Sequence, residues 1–324
     1  MRVPALITCL LLLGWPCGLS AEELDDGEPT PQLIAEIRRH IRDLDADSFE
    51  AREAAQRQLW LIGPRTMPFL EEAAQSGSPE VRFRADALLR SIHRGPIKTA
   101  IETFCSQADE AIDLEQGMWL MSRIGNPKVR RQDLDRQYDE IAAQVREKLG
   151  KEVDPATAHP KVAVMALRTV IFEDLRFNTN KDDYDNPDNC FPERVLATRM
   201  GRPIFVSHVV VAVAKRLKIP IVGLPVSGMY CVKYDGAKAP KDFPREDIVF
   251  YPHDEGRVLS REEFPKLLGV AAFDSLPTPA TPRQALVRML SNLTSVLDHQ
   301  PDRAEELQLA NEMLQRLKRA SDEE

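Results

Sequence analysis

Pro203-Ile204-Phe205-Val206-Ser207-His208-Val209-Val210-Val211-Ala212-Val213-Ala214-Lys215-Arg216-Leu217-Lys218-Ile219-Pro220 decides how this chain folds. Its β-branched residues alone would permit a strand. The apolar run from Ile204 to Leu217 is long for one, though, and its flanks fit a helix: Gly201 and Pro203 stand in front, Lys215, Arg216 and Lys218 behind. A helix apolar almost all round has to be buried. The period then changes, and Ile219 to Leu224, Met229 to Tyr234 and Asp247 to Tyr251 read as short strands divided by Pro225, Gly228 and a charged hairpin region from Lys233 to Arg245. A central helix against a small antiparallel sheet, inside a mostly helical chain, makes the expected fold class α+β.

On the C-terminal side, Pro282 to Leu317 divides into two helices. Ala285, Leu286, Met289, Leu290, Leu293 and Leu297 face Leu307, Ala310, Met313, Leu314 and Leu317, in the manner of a tetratricopeptide-like hairpin. The tail, 318–324, is expected to be disordered. On the N-terminal side, helices are expected over Ile97 to Ile112, Leu114 to Ile124, Arg131 to Leu149 and Val162 to Phe172, with Trp119 in the core. Between Asn178 and Pro192 runs a turn segment rich in Asn and Asp. It has the composition of a calcium loop without the alternation or closing glutamate of an EF-hand, so a structural Asx-rich loop is the stronger reading.

Residues 32–95 show a helical period interrupted at intervals. Ser48-Phe49-Glu50-Ala51-Arg52 and Ser78-Pro79-Glu80-Val81-Arg82 lie thirty residues apart, each opening a helix, which suggests repeats of the HEAT type. Arg52, Arg57, Arg82 and Arg84 form either a ligand-binding ridge or ordinary solvated helix surface, and the latter is the simpler reading. Ahead of them, Met1-Arg2, the apolar run Val3 to Trp15 and Gly18-Leu19-Ser20-Ala21 have the order of a secretory signal peptide, residues 1–21, followed by an acidic leader, 22–31. An exported protein, periplasmic or extracellular, is expected, with no transmembrane segment after cleavage.

The balance of 43 basic and 51 acidic residues argues against a nucleic-acid partner. Beyond the signal only Cys105, Cys190 and Cys231 remain, too few for a disulfide scaffold, although one bridge is possible. No ligand pair has zinc spacing, and no metal or cofactor is expected.

Three separated segments carry a resemblance. Tyr184-Asp185-Asn186-Pro187-Asp188-Asn189-Cys190, Val195-Leu196-Ala197-Thr198-Arg199-Met200-Gly201-Arg202-Pro203-Ile204 and Ala214-Lys215-Arg216-Leu217-Lys218-Ile219-Pro220, in this order, resemble the transglutaminase-like family of the SirB regulator proteins. The resemblance runs over roughly 97–317, with the degenerate domain placed at 96–276 and the hairpin at 282–317. It implies a fold whose active members place a cysteine at the N-terminus of the central helix and a histidine and an aspartate on adjacent strands. A thiolate gains from the helix terminus, and an oriented histidine can move its proton. Carried over to this chain, those positions hold Pro203, Met229 and Tyr251, none of which supplies that chemistry. Tyr184 and Asn189 are expected to line what remains of the cleft, in an architectural more than a ligand-binding role.

The leading expectation is therefore a noncatalytic exported scaffold that binds a protein or peptide. The alternative is a cysteine-dependent hydrolase or amide transferase with a relocated nucleophile. Cys231 or Cys190 would then work with His208 or His253, and a Cys190–Cys231 disulfide would preclude it.

Overall fold

The computed structural model describes residues 29–226, 229–268 and 276–322. The expected signal peptide and most of the expected leader lie outside them. The chain divides into two compact units, Met1–Arg94 and Gly95–Glu324.

In the first unit the described helices are α1 (Pro31–Asp43), α2 (Phe49–Ile62), α3 (Met67–Ala73) and the opening part of α4 (Pro79–Cys105). Ile37, Leu44, Ala55, Leu59, Leu70, Val81, Ala85, Leu88 and Ile92 form its core. The thirty-residue repeat is visible in atomic detail. The Ser48 hydroxyl caps α2 by accepting from the Ala51 N–H at 3.0 Å, and Ser78 does the same for Val81 at 3.3 Å. Arg52 donates to the carbonyls of Ala46 and Asp47 at 2.7 and 3.0 Å; Arg82 donates to those of Ser76 and Gly77 at 2.7 and 3.0 Å. Arg84 is buried and reaches Glu80, Glu53 and Gln56. Arg52, Arg82 and Arg84 therefore hold turns and helices together and form no open ridge with Arg57. The α4 helix continues through Pro96, where a new helix was expected from Ile97. Proline removes one helix hydrogen bond and crowds the carbonyl four residues before it, yet the helix is not broken there.

The second unit is built around one large core. After α4 come α5 (Leu114–Gly125), α6 (Arg131–Leu149) and α7 (Pro160–Arg168), whose last turns widen into a π-helix over Thr169–Asp174. Strand β1 (Asn178–Thr179) pairs in parallel with β2 (Met200–Gly201), and α8 (Pro192–Thr198) lies between them in sequence. The central helix α9 spans Pro203–Arg216, with Phe205, Val206, Val209, Val210 and Val213 buried. Lys218, at φ 56°, turns the chain in the left-handed region, and the Ile219 N–H closes back on the Ala214 carbonyl at 2.9 Å. This is a Schellman-type stop. It uses Ile219 and delays the strand expected there, so β3 is Ile221–Val226.

Strands β3, β4 (Met229–Tyr234), β5 (Ile248–Tyr251) and β6 (Arg257–Val258) form an antiparallel sheet in that order. Side chains alternate across it. Tyr230, Val232, Tyr234 and Phe250 join the core that contains α9. Leu224, Val226, Cys231, Val249 and Tyr251 join a separate cluster on the other face, with Leu259 and with Phe264 of α10 (Glu263–Leu268). Helices α11 (Pro282–Leu297) and α12 (Ala304–Asp322) form the C-terminal hairpin, and their apolar faces belong to the large core. The α12 helix runs past Lys318 to Asp322, where a frayed tail was expected; Leu317 is fully buried and Arg316 is tied to Glu102 and Glu312.

Candidate functional site

Pro203 is the first residue of α9 and half-buried. Its fixed φ suits a helix start, and its missing N–H is one that a helix would leave free there. The Arg202 carbonyl accepts from the Phe205 and Val206 N–H groups at 2.9 and 3.2 Å, so the turn closes without a side-chain cap.

The two strand positions meet. Val232 pairs with Phe250, so Tyr251 falls beside Cys231 and diagonal to Met229. The Tyr251 hydroxyl donates to Met229 Sδ at 3.0 Å. Both side chains belong to the apolar cluster on the sheet face away from the α9 core, and that cluster contains no residue of α9. Burial raises the Tyr251 phenol above its ordinary range, with smaller contributions from Cys231, Asp254 and Tyr184. Its polar hydrogen is used on a thioether.

Around the start of α9, the Arg202 guanidinium lies 4.4 Å from the Tyr184 ring centroid and bonds Asp185 at 2.7 Å. Tyr184 is 40% exposed. Asn189 has the architectural part of its expected role. It is buried, its amide N–H groups donate to the Asp183 and Tyr184 carbonyls at 2.6 and 3.3 Å, and its side-chain oxygen accepts from Asn180 at 3.1 Å. With donors and acceptor engaged, it fixes the loop.

Among the described residues no hydrogen bond joins Cys190 or Cys231 to His208 or His253. Cys105, Cys190 and Cys231 are free and buried, and Cys190 and Cys231 sit in different apolar clusters, which excludes the bridge between them. Burial pushes each thiol up to about 12, so none offers a thiolate near neutral pH. His208 is buried on α9, and burial alone takes it down to about 4. His253 lies just beyond β5, its ring 5.5 Å from that of Tyr251. Among the described residues no group of three or more His, Cys, Asp or Glu side chains is placed to hold a metal ion, and no helix is long and apolar enough to cross a membrane.

Two residues with no expected role stand out. Tyr230 lies on the α9 face of β4, its ring centroid 5.5 Å from that of His208, and the Arg288 guanidinium of α11 is 5.6 Å from the same Tyr230 ring. The sequence signal was Gly223, since a glycine inside a strand marks close approach. A Cβ there would stand 2.1 Å from the Tyr230 hydroxyl.

Comparison with known proteins agrees with this geometry at the level of fold. The profile of the transglutaminase-like superfamily matches residues 132–291. A UPF0162 protein of Xylella fastidiosa (strain Temecula1) is 32% identical over 200 residues, 58% of this chain and 66% of that protein. The human F-box only protein 21 is 22% identical over 236 residues, 66% of this chain and 37% of that protein. The aligned part of this chain thus spans less than two thirds of the length of each of these relatives. No solved structure matches. The central region of this chain is transglutaminase-like in fold.

Proposed function

We propose that this protein is an exported, noncatalytic scaffold that binds a protein or peptide, built on a transglutaminase-like domain of the SirB regulator type. HEAT-like helices precede that domain and a tetratricopeptide-like hairpin ends it. In this reading Pro203, Met229 and Tyr251 occupy the places of the cysteine, histidine and aspartate. The observation that carries it is the Tyr251–Met229 contact: a hydroxyl and a thioether satisfy one another, leaving neither a base nor an orienting carboxylate. Exposed Phe49, Trp60 and Phe83 on the first unit supply the kind of aromatic surface that polypeptide partners use.

Native-state alkylation with iodoacetamide, resolved by residue across pH, tests the noncatalytic part. Cys105, Cys190 and Cys231 are expected to react only after unfolding. A thiol that reacts in the folded protein well below the ordinary ~8.5, and loses that reactivity in His208→Ala or His253→Ala, would overturn it. Export is tested by N-terminal sequencing of the protein recovered outside the cytoplasm, which is expected to begin at Glu22.

A further inference from the structure

Between α9, the sheet and α11 lies a group of polar atoms that no internal hydrogen bond accounts for. Both ring nitrogens of His208 are buried without a partner among the described residues, and so is the Tyr230 hydroxyl. Each of the two residues is 2% exposed. Native proteins leave few such atoms, because a buried polar atom without a partner forfeits the hydrogen bonds it made to water. Here three are contributed by side chains whose rings are neighbours.

The charges around them have one sign. Arg288 contacts the Tyr230 ring and makes no hydrogen bond or ion pair among the described residues. Among the described residues its charge is the one that acts on the Tyr230 hydroxyl, and none acts on His208. Arg288 is half-buried, on the C-terminal hairpin, so the group has one wall that borders solvent. The bare backbone of Gly223 makes room for the hydroxyl on the remaining side. Donors and a positive charge are thus gathered where none of the described residues supplies an acid.

We propose that His208, Tyr230 and Arg288 form a recognition site for a carboxylate group. The Tyr230 O–H and one His208 N–H donate to it, and Arg288 supplies the opposite charge with further donors. The carboxylate comes from a peptide's C-terminus or from a small organic acid. This deepens the peptide-binding reading and rests on it.

The test follows the side-chain nitrogen resonances of His208 in the full chain labelled with ¹⁵N-histidine. Sodium acetate is titrated against a sodium chloride control, then a tripeptide with a free C-terminus against its C-terminal amide. Acetate is expected to shift the His208 resonances saturably while chloride does not. Arg288→Gln, at a partly exposed position, and Tyr230→Phe should each weaken binding by about tenfold or more. Tighter saturation by the tripeptide than by acetate, with a silent amide, assigns the carboxylate to a chain end; the reverse order assigns it to a small acid. Shifts that never saturate, or match those with chloride, or persist unchanged in Arg288→Gln, overturn the site. Failure here leaves the noncatalytic reading intact, because the alkylation experiment decides that separately.

Discussion

His208 and Glu193 set opposite pH slopes on the stability of this protein. His208 is fully buried, and its value falls from 6.5 in the unfolded chain to about 4 in the fold. The unfolded chain therefore binds the extra proton between those values, and stability is full above pH 6.5 and lost as pH falls toward 4. The loss is on the order of 3 kcal/mol. Glu193, on the first turn of α8, behaves in reverse. Burial raises it from 4.5 to about 7, against the lowering hydrogen bond from Ser122, and one carboxyl oxygen has no partner among the described residues. Its contribution is full below pH 4.5 and lost as pH rises through 7. Allowing for its partial exposure, Glu193→Gln should stabilise the protein by about 2 kcal/mol at pH 8 and by little at pH 4. His208→Leu should remove the rising part of the stability profile between pH 4 and 6.5 and leave the fall with pH that Glu193 sets. Urea titrations across pH check both; equal slopes in wild type and variant would refute the assignment. Little of this was legible in the sequence. A histidine in an apolar helix was visible there, but its lack of partners depends on which strand faces it.

At the scale of elements, the repeated arginine clamp makes a sharper statement. Arg52 and Arg82 each tie two carbonyls of the turn before their helix. Arg52→Ala and Arg82→Ala should each cost about 1–2 kcal/mol, since the freed carbonyls are partly open to water. Arg57→Ala, at a surface position without such bonds, should stay within about 0.5 kcal/mol. Denaturant midpoints of the three variants separate the two classes. The repeat itself was legible because Ser, Glu and Arg recur at one offset. Its use of arginine was not, since a sequence does not say whether a long side chain turns inward. Helix α6 was legible to the residue, from the spacing of Leu134, Tyr138, Ile141, Val145 and Leu149. Strand β3 was misplaced because Ile219 is claimed by the helix stop. The positions at the helix start and on two strands could be read from motif order, whereas the Tyr251–Met229 contact needed the register of β4 against β5.

Across the whole molecule, the two units keep separate apolar interiors. Among the described residues, the core of the second contains none before Ile97, and that of the first contains none after Ile92. A fragment spanning 95–324 should therefore fold by itself, with one cooperative unfolding transition followed by circular dichroism. A fragment without such a transition would show that the second unit depends on the first.

The contact between Tyr251 and Met229 also bears on the evolutionary reversibility of the proposed loss of chemistry. A single reversion, such as Tyr251→Asp, would place a lone carboxylate among Leu224, Val226, Val249 and Phe264 with no histidine to orient. Met229→His alone would put an imidazole against a tyrosine, and Pro203→Cys alone would add a thiol with no base. Each first step toward the triad yields no activity, and the carboxylate step also carries a folding penalty. In the proposed reading, with a triad once at these positions, the settled phenol and thioether act as a ratchet that leaves the chemistry no single-step route back.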